Sequence, residues 1–185
     1  MKNARIDNSR TTDRDIILRN VFLPLWLLIF WPSWLWLLLI PLNYLYDRII
    51  LRWSLGDMPE KGRFCRGHNW KICLAGFASD FVGAAILLAV FMGTSAVSEG
   101  SAVAELLEKV AYGVGFNPFS HPLAFLVVAL SVAASAGLIY LLDRSILKKA
   151  GLAAEQARKS AWQLAVFTAP YLYFFPSAVL YNGGI

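Results

Sequence analysis

Asp80 is the one acidic residue well inside a long apolar segment of this chain. It lies eight residues beyond Ile72, or about 12 Å along a helix at a rise of 1.5 Å per residue. An ionisable group in such surroundings is costly, and its usual role is to handle a proton or cation inside a helix bundle. The alternative is a structural carboxylate bonded to a hydroxyl or a basic group of a neighbouring helix. We take Asp80 and the adjacent Ser79 as candidate ion- or proton-handling residues.

Two Asp-Arg pairs, Asp47-Arg48 and Asp143-Arg144, occur where apolar segments end. Side chains at such positions commonly anchor a helix at the membrane interface or form ion pairs within the adjoining loop. The alternative is that the four residues form a cytoplasmic gate or bind lipid headgroups. A gate requires a second conformation, which a sequence does not reveal.

No metal or cofactor site is expected. Cys65, His68 and Cys73 give a C-x₂-H-x₄-C pattern with only three ligands, whereas a structural zinc site needs four. The chain also lacks the Walker A, G-x-G-x-x-G, H-E-x-x-H and G-x-S-x-G motifs. Its polar segments are too short for a separate catalytic domain, so the sequence favours a protein that is not an enzyme.

The elements that must position these residues are membrane helices. Of the 185 residues, 58% are hydrophobic and only 16% are charged, far from the balance of a soluble domain. Four apolar runs, uncharged except for Asp80, approach or exceed the ~20 residues that cross a bilayer core as a helix: 21–46, 72–92, 122–142 and 161–181. We predict an all-α integral membrane protein, a small bundle of four transmembrane segments.

The basic residues predict the orientation. The loops 47–71 and 143–160 carry six and five Lys or Arg residues, the loop 93–121 carries one, and the C-terminal segment none. The positive-inside rule places 47–71 and 143–160 in the cytoplasm and 93–121 outside, in a bacterial inner membrane or a plasma membrane. Anionic lipid headgroups are the expected partners at the cytoplasmic face, and no nucleic acid is expected.

The first apolar run has two possible paths. The tail 1–20, where Thr12 to Asp15 predicts a short capped helix, carries five basic residues and would lie outside if the run crosses fully. If the run is re-entrant and turns at Pro32-Ser33, the tail stays inside and obeys the charge rule. A re-entrant hairpin must be buried against other helices, however, because lipid does not tolerate exposed non-helical backbone.

Two self-matches predict an internal repeat. Residues 42–52 and 138–148 are identical at seven of eleven positions, and 74–81 resembles 164–171. The predicted unit is a helix-loop-helix hairpin, present as 21–92 with its loop 47–71 and as 122–185 with its loop 143–160. The alternative is chance similarity between lipid-facing segments of limited alphabet.

Small residues at helical spacing predict where helices pack closely. The second run carries Ala75, Ser79 and Gly83, and the third carries Ala129, Ala133 and Gly137, with Ser131 and Ser135 on a neighbouring row. The two helices are expected to pack within one chain or across an oligomer. Proline predicts a kink in the last run, which contains Pro170 and Pro176.

The outer loop 93–121 holds a predicted amphipathic helix from 101 to 112, with apolar residues such as Val103 and Val110 on one side. It should lie on the membrane surface or cap the bundle.

These features fit three classes of function. A channel or small transporter for an ion or small solute, acting as a homo-oligomer, fits the repeat, the packing rows and Asp80. A non-catalytic subunit or assembly partner of another membrane protein explains the same packing without a path. A membrane-embedded enzyme acting on lipid is the third class, since a fold alone does not exclude it.

Overall fold

The computed structural model describes residues 24–30, 34, 36–93 and 101–179. The predicted helix of the tail 1–20 therefore lies outside the described residues. Every regular element in the described part is helical, as predicted, and helix accounts for 85% of it. The five α-helices there are α1 (Trp36–Ser54), α2 (Lys61–Gly93), α3 (Ala102–Phe116), α4 (Pro122–Lys149) and α5 (Ala154–Thr168). Three short 3₁₀ helices also occur, at Leu25–Ile29, Pro118–Ser120 and Tyr171–Phe174.

Helices α2 and α4 form the centre of the bundle and run antiparallel. The hydroxyls of Ser131 and Ser135 on α4 donate to the backbone carbonyls of Gly83 and Ser79 on α2, at 2.7 and 3.0 Å. A Cβ atom at Gly83 would collide with the Ser135 hydroxyl. The predicted close contact between these helices is therefore present within one chain, and α2 uses the predicted row.

On α4 the contact differs from the predicted row. Ser131 and Ser135 are buried, whereas Ala133 and Gly137 are exposed and Ala129 is only half-buried. The serine row packs better because it both permits close approach and donates hydrogen bonds across the helices. Contact of the Ala129, Ala133 and Gly137 row with another chain stays a prediction.

The described parts of the first apolar run contact α2 at several points. Trp26 contacts Phe91 near the end of α2, and further along the run Phe30 packs on Phe81. In α1, Trp36 stacks on Phe77 and the Asn43 amide lies 3.9 Å from the Cys73 sulfur. The contacted residues of α2 thus move from Phe91 to Cys73 as the run proceeds. The predicted re-entrant turn at Pro32-Ser33 lies outside the described residues.

The last apolar run is not one continuous helix, which corrects the prediction of a single kinked span over 161–181. Helix α5 ends at Thr168, and Ala169 is extended with ψ of 152°. Pro170 explains this end, because proline disfavours helical geometry at the preceding residue and cannot donate a main-chain hydrogen bond. Beyond the break the chain continues to Ser177, whose hydroxyl accepts a hydrogen bond from the backbone N–H of Leu25.

Helix α3 covers most of the segment 101–112, where an amphipathic helix is predicted, and continues to Phe116. Ser101 caps it by accepting a hydrogen bond from the N–H of Ala104. Its buried residues lie in the second half, where Gly113 touches the side chain of Ala124 on α4. Val103, in the first half, is exposed.

A glycine just after the end of α4 forms the turn that leads to α5. Gly151 has a φ of +92°, and the N–H groups of Gly151 and Leu152 donate to the carbonyls of Lys148 and Leu147. This pattern is a Schellman motif, which satisfies carbonyls at the helix end and favours glycine for its positive φ. It turns the chain sharply enough to set α5 against α4.

Helices α2 and α4, of 33 and 28 residues, are long and apolar enough to cross a membrane. Only 39% and 28% of their most apolar stretches are buried, and many large apolar side chains are exposed, including Leu130 at 60%. A soluble monomer rarely exposes apolar surface on this scale. The outer surface of the bundle is therefore consistent with a membrane protein.

The central contact predicts opposite effects for two glycine substitutions. Gly83→Ala should lower the free energy of unfolding by about 1–3 kcal/mol, because the new methyl group overpacks the contact with Ser135. Gly137→Ala meets open space and should preserve stability or raise it by up to about 1 kcal/mol. Thermal unfolding of the detergent-purified variants measures both. Equal losses would contradict the described contact, and a loss at Gly137 alone would show that another chain covers its face.

Candidate functional site

Three carboxyl groups from three helices gather inside the bundle. Asp47 on α1 is 2% exposed, Asp143 on α4 is 1% exposed, and Asp80 on α2 is half-buried. Asp47 lies within electrostatic range of both other carboxyls. We call Asp47, Asp80 and Asp143 the interior acid cluster.

Helix register places two of the acids at one level. Because Ser135 lies opposite Ser79, Asp143 lies opposite the residues about two turns earlier on α2, near Ile72. Asp47 is one turn beyond Asn43, which contacts Cys73. The two acids are therefore level with the same part of α2, and Asp80 is about 12 Å further along it.

Few groups satisfy these carboxyls. Neither oxygen of Asp143 has a hydrogen-bond partner, and neither does the buried Oδ1 of Asp80. Asp47 is approached only by the Asn43 amide, at 3.5 Å, and by the neighbouring Cys73 thiol. Within the described ranges, ion pairs join only exposed side chains and none includes an acid of the cluster. Burying a charge without a partner is strongly unfavourable.

The arginines of the two Asp-Arg pairs point elsewhere. Arg48 and Arg144 are half-buried, and neither forms an ion pair with its neighbouring aspartate in the described structure. The Arg144 guanidinium lies over the Tyr140 ring, 6.0 Å from its centre. Burial of the two aspartates favours an interior role for them over contact with headgroups. The gating hypothesis stays a prediction.

The hydrogen bond that a neighbouring side chain makes to Asp80 ends on its main-chain carbonyl and not on its carboxyl group. The Tyr173 hydroxyl donates to the carbonyl oxygen of Asp80 at 2.6 Å. The Ser79 hydroxyl, predicted as an ion-handling group, donates to the carbonyl of Ala75 within its own helix at 2.8 Å. Ser79 therefore holds the helix contact through its main chain and keeps its hydroxyl occupied.

Two apolar clusters lie on opposite sides of the acids along the bundle. The upper cluster, at the α3 end of the bundle, consists of Trp26, Ala84, Leu87, Val110, Val114, Ala124, Val128, Val132, Ala169 and Tyr173. The lower cluster, at the opposite end, consists of Ile50, Leu51, Leu55, Cys65, Ile72, Leu147, Ala157, Ala161 and Leu164. Asp47 and Asp143 are each about one turn above a lower-cluster leucine, Leu51 or Leu147. Asp80 is one turn below Ala84 of the upper cluster. Along the helices the acids thus lie between the centres of the two clusters, with Ile72 of the lower cluster level with Asp47 and Asp143. We call this intermediate region the polar layer.

The Cys65, His68 and Cys73 pattern does not converge. Cys65 belongs to the lower cluster, His68 stacks on Phe64, and Cys73 faces Asn43. In the residues described, no three His, Cys, Asp or Glu side chains are arranged to hold a metal ion.

Sequence reasoning missed the amides of this layer. Asn69 is fully buried, and its Nδ2 donates to the Tyr44 carbonyl at 2.8 Å while its Oδ1 has no partner. Two spacings of four residues were the available signal: Asn43 with Asp47, and Asn69 with Cys73. Each pair lies on one face of its helix.

No known family model, curated protein or solved structure matches this chain, so the functional argument rests on the site itself.

The unpartnered carboxyl predicts a gain in stability on substitution. Asp143→Asn should preserve or raise the free energy of unfolding, by up to about 3 kcal/mol, because it removes a buried acid that no group satisfies. Thermal unfolding at neutral pH measures the effect, with Asp57→Asn, an exposed acid in the α1–α2 loop, as the matched control. A marked loss confined to Asp143→Asn would mean that a stabilising partner exists.

Proposed function

We propose that this chain is an integral membrane protein that carries a proton or another small cation across the bilayer. In this proposal the interior acid cluster binds the cation. The observation that carries it is the Asp143 carboxyl, sealed inside the bundle with both oxygens unpartnered. A buried polar group that lacks a hydrogen-bond partner destabilises the fold, and such groups are typical of functional sites.

The proposed topology has four crossings. Helix α2, of 33 residues, is about 50 Å long, more than the ~30 Å hydrocarbon core, and the described parts of the first run contact it between Phe91 and Asn69. Helix α4 is the third crossing, and α5 with the segment to Ser177 is the fourth, interrupted at Pro170. The basic loops 47–71 and 143–160 put the lower cluster at the cytoplasmic side. The tail 1–20 then lies outside, as an exception to the charge rule.

The two apolar clusters suggest how passage is controlled. A cation in the polar layer would be shielded from both sides while both clusters are closed. Opening one cluster at a time would connect the acids to one side only, as alternating access requires. The break at Pro170 suits such movement, because the chain there lacks the hydrogen bonds of a continuous helix.

The acid cluster forms within one protomer, so transport would not need a pore at an oligomer axis. A homo-oligomer remains part of the proposal, with the exposed row of Ala129, Ala133 and Gly137 as its contact. The same row could instead bind another membrane protein. A non-catalytic subunit is the second candidate function, favoured by the extensive apolar surface. Flux measurements separate the two candidates.

Flux in liposomes tests the function. Purified protein should pass protons or a small cation down an imposed gradient, and Asp143→Asn should reduce the rate at least tenfold, because it removes a binding carboxyl. Asp47→Asn and Asp80→Asn should reduce it as well. Asp57→Asn is the matched control and should leave the rate unchanged. Absence of flux for every cation tested, with folded protein in the vesicles, would support the subunit function instead.

Labelling tests the topology. Single cysteines introduced at Asp57 and Gly151 should react with a membrane-impermeant maleimide only from the cytoplasmic side, in a variant lacking Cys65 and Cys73. A cysteine at Ser120 should react only from outside. Reaction of Ser120 and Asp57 cysteines from the same side would rule out the four-crossing arrangement.

A further inference from the structure

The unsatisfied atoms of the interior are nearly all of one chemical kind. Six buried side-chain atoms in the described part lack a hydrogen-bond partner. Five of them are oxygens that accept hydrogen bonds: Asn69 Oδ1, Asp80 Oδ1, both carboxyl oxygens of Asp143, and Gln163 Oε1. The sixth, Arg144 Nε, is a donor. Buried polar groups are normally paired, so the missing partner of this interior is one that donates hydrogen bonds.

The amide of Asn69 points to a ligand independently of the acids. Its Nδ2 end is fixed by the Tyr44 carbonyl on α1, so the opposite end of the side chain carries the unpartnered oxygen. Asn69 shares a helix face with Cys73, whose thiol lies beside Asp47. Asp47 and Asp143 are level with the same part of α2, as the register shows. The amide oxygen therefore belongs to the same polar layer as the two carboxyls.

The chemistry of these oxygens argues against a bare proton or a bare metal ion as the ligand. A bare proton can satisfy a carboxylate oxygen, but an amide oxygen is not basic enough to hold one. A bare metal ion needs several ligands at about 2.0–2.6 Å. The described acids, thiols and imidazoles do not converge in that way. A cationic N–H donor binds oxygens at 2.7–3.2 Å, a longer reach than that of a bare metal ion, and has three or four hydrogens to share among them.

We infer that the transported cation is a small protonated amine, ammonium or a short primary alkylammonium, held by Asp143 and Asp47 with the amide oxygen of Asn69. This inference rests on the proposed function and specifies its substrate. The positive charge meets the carboxyls, and the N–H groups satisfy the unpartnered oxygens. Asp47, Asn69 and Asp143 are each at most 2% exposed, so a ligand held by them is shielded from the protein surface.

Binding to the full-length protein in detergent tests the inference. The probes are methylammonium chloride and, as the matched cation without N–H groups, tetramethylammonium chloride, with sodium and potassium chloride at equal ionic strength. Methylammonium should raise the thermal midpoint in a saturable manner, since a ligand that binds only the folded state stabilises it. The other three salts should not. Asp143→Asn should weaken methylammonium binding about ten- to hundredfold, and Asn69→Leu about fivefold. Asp57→Asn should bind normally.

Uptake in liposomes distinguishes this inference from the function on which it rests. Labelled methylammonium should enter vesicles holding the wild-type protein, and an excess of ammonium should compete.

Asp143-dependent flux of sodium, potassium or protons, without any methylammonium binding or uptake, would overturn the amine inference and leave the transport function standing. Equal stabilisation by tetramethylammonium would also overturn it. Absence of any Asp143-dependent flux would overturn both. The wild-type comparison of the two ammonium salts decides the inference even if Asn69→Leu does not fold.

Discussion

The contact between α2 and α4 sets the geometry on which the interior acid cluster depends. Two serine hydroxyls bonded to main-chain carbonyls, with Gly83 between them, hold these helices at one distance and in one register. That register brings Asp143 level with the part of α2 that Asp47 approaches from α1. Because the bonds end on backbone atoms, they fix the helices without occupying a polar side chain of α2. The carboxyls and amides of the layer are left available for a ligand.

Stability and function oppose each other in this layer. The upper and lower clusters are conventional apolar packing, and they account for most of the fully buried side chains. Between them lie oxygens that no described group satisfies. An apolar replacement would strengthen such a core, so the persistence of these groups calls for a role outside folding. In the proposed transporter, the same apolar surroundings that make these acids costly would strengthen their interaction with a bound cation.

Sequence reasoning succeeded where local patterns decide the outcome. Long apolar runs predicted an all-helical fold, and the helix after Ser101 and the isolated acid Asp80 could be identified from a few neighbouring residues. It failed where the outcome depends on the rotation of a helix about its own axis or on residues far apart in the chain. The rows of Ala133 and Ser135 differ by about half a turn of one helix, and only the packing of α4 selects the serines. Asp47 and Asp143 stand 96 positions apart in the chain, and no local pattern places them level with the same part of α2. Pro170 signalled a kink, and the structure shows that the helix ends there instead.

The bond between Leu25 and Ser177 ties together residues 152 positions apart, and Trp26 donates to the Val114 carbonyl across 88 positions. Neither partner exists when the first apolar run leaves the ribosome. At the usual rate of synthesis, about 5–20 residues per second, the wait for Ser177 is on the order of 10 s. In that interval the indole of Trp26 and the backbone N–H of Leu25 lack their final acceptors. These two bonds of the first run can form only after most of the chain has been synthesised.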